Sequence, residues 1–112
     1  MKRVLPILIA TSLLFSLIAC SSDEDPQFRI RNDRLDKANV QVQTSGGNTI
    51  NLNDVAAGQT TAYQSAAEGT IVVTAVIQNE SVSPALTFVA SMDTRTTVVI
   101  QAGNPPSLRI DQ

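Results

Sequence analysis

The chain has 112 residues, with eight lysines and arginines against ten aspartates and glutamates, a formal net charge of −2 at pH 7, no histidine, no tryptophan and one cysteine. That balance offers no basic footprint for nucleic acid, and a lone cysteine cannot close an internal disulfide. Without histidine there is no side chain whose ordinary pKa lies near neutrality to shuttle protons or to hold a transition metal.

Met1-Lys2-Arg3 is a short basic start, and Val4 to Ala19 is apolar apart from Pro6, Thr11, Ser12 and Ser16. A positive n-region followed by an apolar h-region is the plan of a secretory signal peptide. As a helix this run would cover about 24 Å, less than the roughly 30 Å hydrocarbon core that a stable span requires. An uncleaved signal anchor is opposed by that length, and a buried amphipathic helix by the lack of a polar face. At its end, Leu17-Ile18-Ala19-Cys20 resembles the lipobox of bacterial lipoproteins, in which a branched aliphatic and small residues precede the cysteine. The resemblance implies that lipoprotein-processing machinery cleaves between Ala19 and Cys20. The Cys20 sulfur would take a diacylglyceryl group and the new amino terminus a further acyl chain. Two or three chains give stable anchoring where one holds only marginally.

Ser21-Ser22-Asp23-Glu24-Asp25-Pro26 has no apolar residue before the proline and reads as a solvated tether, so residues 20–26 link the lipid to the domain. Serine after the lipidated cysteine fits sorting to the outer membrane, with the domain facing the periplasm or the cell surface. The acidic cluster also resembles a Bacteroidota-type export signal for surface lipoproteins; as a simple spacer it would keep the domain off anionic headgroups. Lys2 and Arg3 leave with residues 1–19, so six basic and seven acidic residues remain in 27–112, one small, nearly neutral domain.

In that domain apolar residues alternate. Gln27-Phe28-Arg29-Ile30-Arg31-Asn32 puts Phe28 and Ile30 on one face and both arginines on the other, the period of a half-buried strand. Ala38, Val40 and Val42 repeat the pattern, and Ser45-Gly46-Gly47-Asn48 supplies the turn of a hairpin into Thr49–Leu52. Further strands are predicted at Thr60–Gln64, Thr70–Gln78, Ala85–Val89, Thr96–Gln101 and Ser107–Ile110, separated by Gly58, Gly69, Asn79, Asp93 and Gly103–Pro106. Thr70–Gln78 is apolar at consecutive positions, which predicts a central strand covered on both faces. The expected fold is all-β: a small antiparallel sandwich of about seven strands, immunoglobulin-like or transthyretin-like, after a cleaved signal helix. A small closed barrel is the alternative.

The segments "FRIRN", "ANVQVQTSGG", "DVAAGQTTAY" and "AAEGTIVVTAV" resemble, in that order, a bacterial immunoglobulin-like domain-of-unknown-function family found on envelope lipoproteins. The resemblance implies a domain that binds or displays, with Arg29, Asn32, Gly58 and Tyr63 at architectural positions.

A serine nucleophile needs a base, and Lys37, the one lysine after the signal peptide, stands in a polar loop. Asp33 with Asp36, or Asp54 with Glu68, are the carboxylate pairs that acid–base chemistry could use. Calcium needs six to eight oxygens. Asn32–Asp36 and Asn51–Asp54 concentrate oxygens but lack the glycine and terminal glutamate of an EF-hand loop, and Arg34 and Lys37 stand ready as ion-pair partners. No catalytic residue, metal or cofactor is therefore expected. Asn79-Glu80-Ser81 fits a glycosylation sequon but reads as a turn in a bacterial lipoprotein. Sugar binding requires exposed aromatics; Phe28 and Phe88 face inward, and Tyr63 is expected to bury its ring and bond its hydroxyl to backbone, as corner tyrosines do. The expected function is non-catalytic: a lipid-anchored envelope domain for structural display or binding of a protein partner, or alternatively a surface glycan or small-ligand binding module.

Overall fold

The computed structural model describes residues 24–112; the signal peptide, Leu17, Ile18, Ala19 and Cys20 lie outside the described residues. Where apolar and polar residues alternate, the backbone is extended, giving β1 (Gln27–Asn32), β2 (Ala38–Gln43), β3 (Thr49–Val55), β4 (Gln64–Ser65), β5 (Gly69–Ile77), β6 (Ala85–Ala90), β7 (Arg95–Gln101) and β8 (Ser107–Asp111). They form two four-stranded sheets, one in the order β4-β1-β7-β8 and the other β3-β2-β5-β6. The described residues form an all-β sandwich.

The pairing is antiparallel except between β1 and β7, which run parallel with Gln27 opposite Arg95 and Asn32 opposite Ile100. The expected antiparallel sandwich is thus a mixed one. Period two is the same in either direction, and only the excursion of the chain through β2–β6 makes β7 return along β1. β1 and β2 lie in different sheets, whereas the immunoglobulin arrangement keeps its first, second, fourth and fifth strands together. Of the two sandwiches expected, this leaves the transthyretin-like one.

The core lies between the sheets. Phe28 and Ile30 from β1, Val98 and Ile100 from β7, Val40 and Val42 from β2, and Ile71, Val73, Ala75 and Ile77 from β5 are all buried, with Ile50, Leu52, Phe88 and Leu108 packed around them. β5 is central, between β2 and β6. It does not bury both faces: Val73 is 1% exposed but Val76 is 55% exposed. The outward positions Val72 and Val76 are apolar without being enclosed, and that hid the alternation.

The strand expected over Thr60–Gln64 is shorter and later, Gln64–Ser65. Before it, Thr60 makes an isolated bridge to Arg31, while the Thr61 hydroxyl accepts the Ile30 N–H at 3.0 Å and the Thr61 N–H bonds to the Ile30 carbonyl. A side chain takes a place in the ladder there, so the edge does not continue as regular strand. Two of the four glycines with positive φ lie at close contacts between segments. Gly58, at φ +75°, turns the chain so that its N–H reaches the Asn32 carbonyl at 2.8 Å. Gly69 has φ +125°, and a Cβ there would lie 2.6 Å from the Ser45 hydroxyl.

The end of the acidic stretch belongs to the domain. The Glu24 N–H donates to the Asp93 carboxylate at 2.7 Å, the Asp93 N–H returns to the Glu24 carbonyl at 2.9 Å, and buried Pro26 accepts from the Ala66 N–H. The solvated tether is therefore shorter than residues 20–26. These contacts place the chain entry at the end of the sandwich where β1 and β7 begin.

Candidate functional site

The outer face of the β4-β1-β7-β8 sheet collects most of the positive charge. Period two turns Arg29 and Arg31 of β1 outward, and register sets them in the cross-strand rows Arg29–Thr97–Asp111 and Arg31–Val99–Arg109. With Arg95 at the start of β7, four of the six basic residues after Cys20 stand on this face. Val99 is fully buried although it points away from the central core, because the register places it between Arg31 and Arg109, whose long stems can cover it.

Two of these arginines are neutralised. Arg31 grips Asp33 and Arg109 grips Asp111, each through two hydrogen bonds, the shorter at 2.9 Å. The hydrogen bond from Arg109 holds the Asp111 carboxyl below the usual carboxylate range, against a smaller opposing effect of desolvation. Hydrogen bonding to Asp33 raises the Arg31 pKa in turn.

The other two are not. Among the described residues neither Arg29 nor Arg95 has a carboxylate within ion-pair distance. Both lie against the ring of Tyr63, with the Arg29 Cζ 4.6 Å and the Arg95 Cζ 5.0 Å from its centroid. Arg29 is further oriented by its Nε, which donates to the Thr97 hydroxyl at 3.0 Å. Tyr63 arrives there because it precedes β4, whose Gln64 pairs with Phe28 of β1. A shallow hollow of about 260 Å³ results, lined by Arg29, Arg31, Tyr63, Arg95, Thr97, Asp111 and Gln112.

This corrects the expectation for Tyr63. Its ring is half-buried against two cations, and among the described residues its hydroxyl makes no hydrogen bond to backbone. Of the four positions expected to be architectural, Asn32 and Gly58 are so, while Arg29 and Tyr63 stand at the surface hollow. Sequence reasoning also missed Arg95, which is distant from Arg29 along the chain and reaches it only through the parallel pairing of β1 with β7.

The carboxylate candidates do not assemble. Asp33 is held by Arg31, and Asp36 contributes its backbone carbonyl to the Asn32 amide. Asp54 pairs with Lys37 at 3.3 Å near the end of β5 that carries Ile77, while Glu68 precedes the other end of β5. Asn51 is on β3 opposite Gln41 and not in a loop. Among the described residues no three carboxylates or other ligating side chains converge where a metal ion could bind. Phe28 is buried and Phe88 packs on the core, so neither is a stacking platform. Asn79 occupies a turn with φ +67°.

No family model and no curated protein matches the chain. Among solved structures it is similar to a protein from Eubacterium rectale determined by NMR, with a TM-score of 0.63 at 20% identity over 80% of this chain and 90% of that one. What the chain has in common with that protein, at this identity, is a fold.

Proposed function

We propose that the protein is a lipid-anchored lipoprotein of the bacterial outer membrane whose sandwich is a non-catalytic binding domain. The anchoring rests on the lipobox Leu17-Ile18-Ala19-Cys20, through which acyl chains on Cys20 would hold the chain to the membrane. Three residues, and so four Cα–Cα steps, lie between Cys20 and Glu24, the first described residue and one held to the domain, so this stretch reaches at most about 14 Å. Binding rests on one observation: Tyr63 and two arginines that, among the described residues, have no carboxylate partner share an exposed hollow, where a structural face would pair its charges. That favours the ligand-binding form of the proposal, a glycan or small-molecule module.

Binding of a protein partner is supported by a different feature. Leu35 is 95% exposed at the pole opposite the tether, on a loop fixed by Asn32 and Arg34. A rigidly presented leucine is the kind of anchor a partner's apolar pocket takes.

Mass spectrometry of the mature protein should find an acylated Cys20 at its amino terminus, and Cys20→Ala should block processing; an intact Met1 or an unmodified thiol overturns the anchoring. Capture of envelope glycans and proteins by the full chain should drop on Tyr63→Ala or on Leu35→Asp. Capture unaffected by either change overturns the binding domain.

A further inference from the structure

We infer that the Arg29–Arg95–Tyr63 hollow is an oxyanion site for a phosphate monoester, an assignment that rests on the binding-domain reading and names its ligand class. Both guanidinium groups lie within 5.0 Å of one ring centroid. The two charges are thus less than about 10 Å apart, one Debye length in ordinary buffer, and they repel. An anion that both guanidinium groups reach offsets that repulsion. The Thr97 hydroxyl occupies the Arg29 Nε and sets the plane of the group, and among the described residues the terminal nitrogens of Arg29 and Arg95 meet no acceptor. Planar donor pairs of this kind match phosphate and carboxylate oxygens bidentately.

Charge chooses between those two. Asp111 and Asp33 border the face but are each gripped by an arginine, so among the described residues Arg29 and Arg95 carry the uncompensated charge. Two cations match a phosphate monoester, at about −1.5 to −2 near pH 7, better than a single carboxylate. The hollow, at about 260 Å³, is smaller than the ~300–1,000 Å³ of drug-sized ligand sites. It suits one phosphorylated headgroup or sugar. Arg95 also follows Asp93, which clasps Glu24, so the site lies at the tether end of the sandwich, where a lipid-borne phosphate and a free one are both accessible.

Tyr63 is the only tyrosine and there is no tryptophan, so intrinsic fluorescence of the full chain in zwitterionic detergent reports on this site directly. Glucose 6-phosphate should change it saturably and glucose should not. Glucuronate should bind more weakly than the phosphate. Binding should strengthen from about pH 5 to about pH 7.5 as the phosphate loses its second proton near ~6. Arg29→Gln and Arg95→Gln should each weaken binding roughly tenfold or more in a domain that still unfolds cooperatively. In a parallel arm, arginine-dependent binding to phosphatidic acid vesicles but not to phosphatidylglycerol vesicles identifies a lipid source; a response to the soluble phosphate alone identifies a free one. No response to a phosphate monoester in either arm, or a response that survives both arginine changes, overturns the proposal. Glucuronate binding as tightly as the phosphate overturns the phosphate assignment and leaves the binding domain standing, since that reading is tested separately by Tyr63→Ala and Leu35→Asp in the capture experiment.

Discussion

Asn32 ends β1 as a fully buried polar side chain with every group satisfied. Its amide donates to the Asp36 and Val55 carbonyls at 2.8 and 3.1 Å, and its side-chain oxygen accepts the Arg34 N–H at 2.9 Å. Its backbone bonds to Gln59 and Gly58. One side chain therefore ties the loop after β1 to the end of β3 at the tether-distal pole, and these bonds are the condition for burying an amide at all. Arg34 extends the framework: Nη1 donates to the Gln101 and Gly103 carbonyls, both at 2.8 Å, and Nη2 pairs with Glu80 at 2.9 Å. Its Nε is buried and, among the described residues, meets no acceptor, so part of the gain is offset by that lost hydrogen bond. Replacing Arg34 with methionine should keep the packing volume and lose the three bonds. The expected cost is about 1–3 kcal/mol in urea unfolding, with Arg34→Lys recovering little because one ammonium cannot span both carbonyls and Glu80. An Arg34→Met midpoint equal to that of the parent would show that the loops hold without the strut.

At the scale of the element, β5 makes the sharpest test of which face is enclosed. Val73 stands opposite Val42 on one side and Leu86 on the other and is buried between the sheets. An aspartate there would be a carboxylate without a partner in the core, costing several kcal/mol out of a total stability of about 5–15 kcal/mol for a domain of this kind. Val73→Asp should unfold the domain. Val76→Asp, on the same strand but on the solvent side, should cost less than about 1 kcal/mol, as surface changes do. Thr87→Asp on exposed β6 should be comparably mild. Urea midpoints for the three variants decide the matter: similar losses at positions 73 and 76 would mean that β5 is enclosed on both sides.

For the whole molecule, the two outer faces differ in kind. The β4-β1-β7-β8 face carries Arg29, Arg31, Arg95 and Arg109, whereas the other sheet turns out neutral rows such as Asn51–Gln41–Thr74–Ala85 and Thr49–Gln43–Val72–Thr87. Elsewhere in residues 27–112, Arg34 and Lys37 are outnumbered by Asp36, Asp54, Glu68, Glu80 and Asp93. A nearly neutral total thus conceals a dipolar surface, and a count of charges could not locate a binding face. Every core residue lies after Pro26, so residues 24–112 should fold alone, with strand-dominated far-UV circular dichroism and one cooperative transition. Starting the fragment at residue 27 removes the Glu24–Asp93 clasp and the Pro26–Ala66 bond and should lower the urea midpoint. A helical spectrum, or no cooperative unfolding of the longer fragment, would count against an autonomous sandwich.

By itself, the sequence determined the strands, because a half-buried sheet imposes alternation on neighbouring residues and a turn imposes glycine and asparagine between them; both are local. Phe28 and Ile30 in β1, and Val40 and Val42 in β2, were legible as core for that reason. Direction, neighbours and enclosure are not local. Only the tertiary structure decided that β7 runs parallel to β1, that Val76 faces solvent, and that the Thr61 hydroxyl stands in for a strand. Only that parallel pairing brings Arg29 and Arg95 to the same Tyr63 ring. The candidate site was therefore present in the sequence as residue types and absent as an arrangement: alternation says which face a side chain takes, and the chain's path between sheets says which other side chains it meets there.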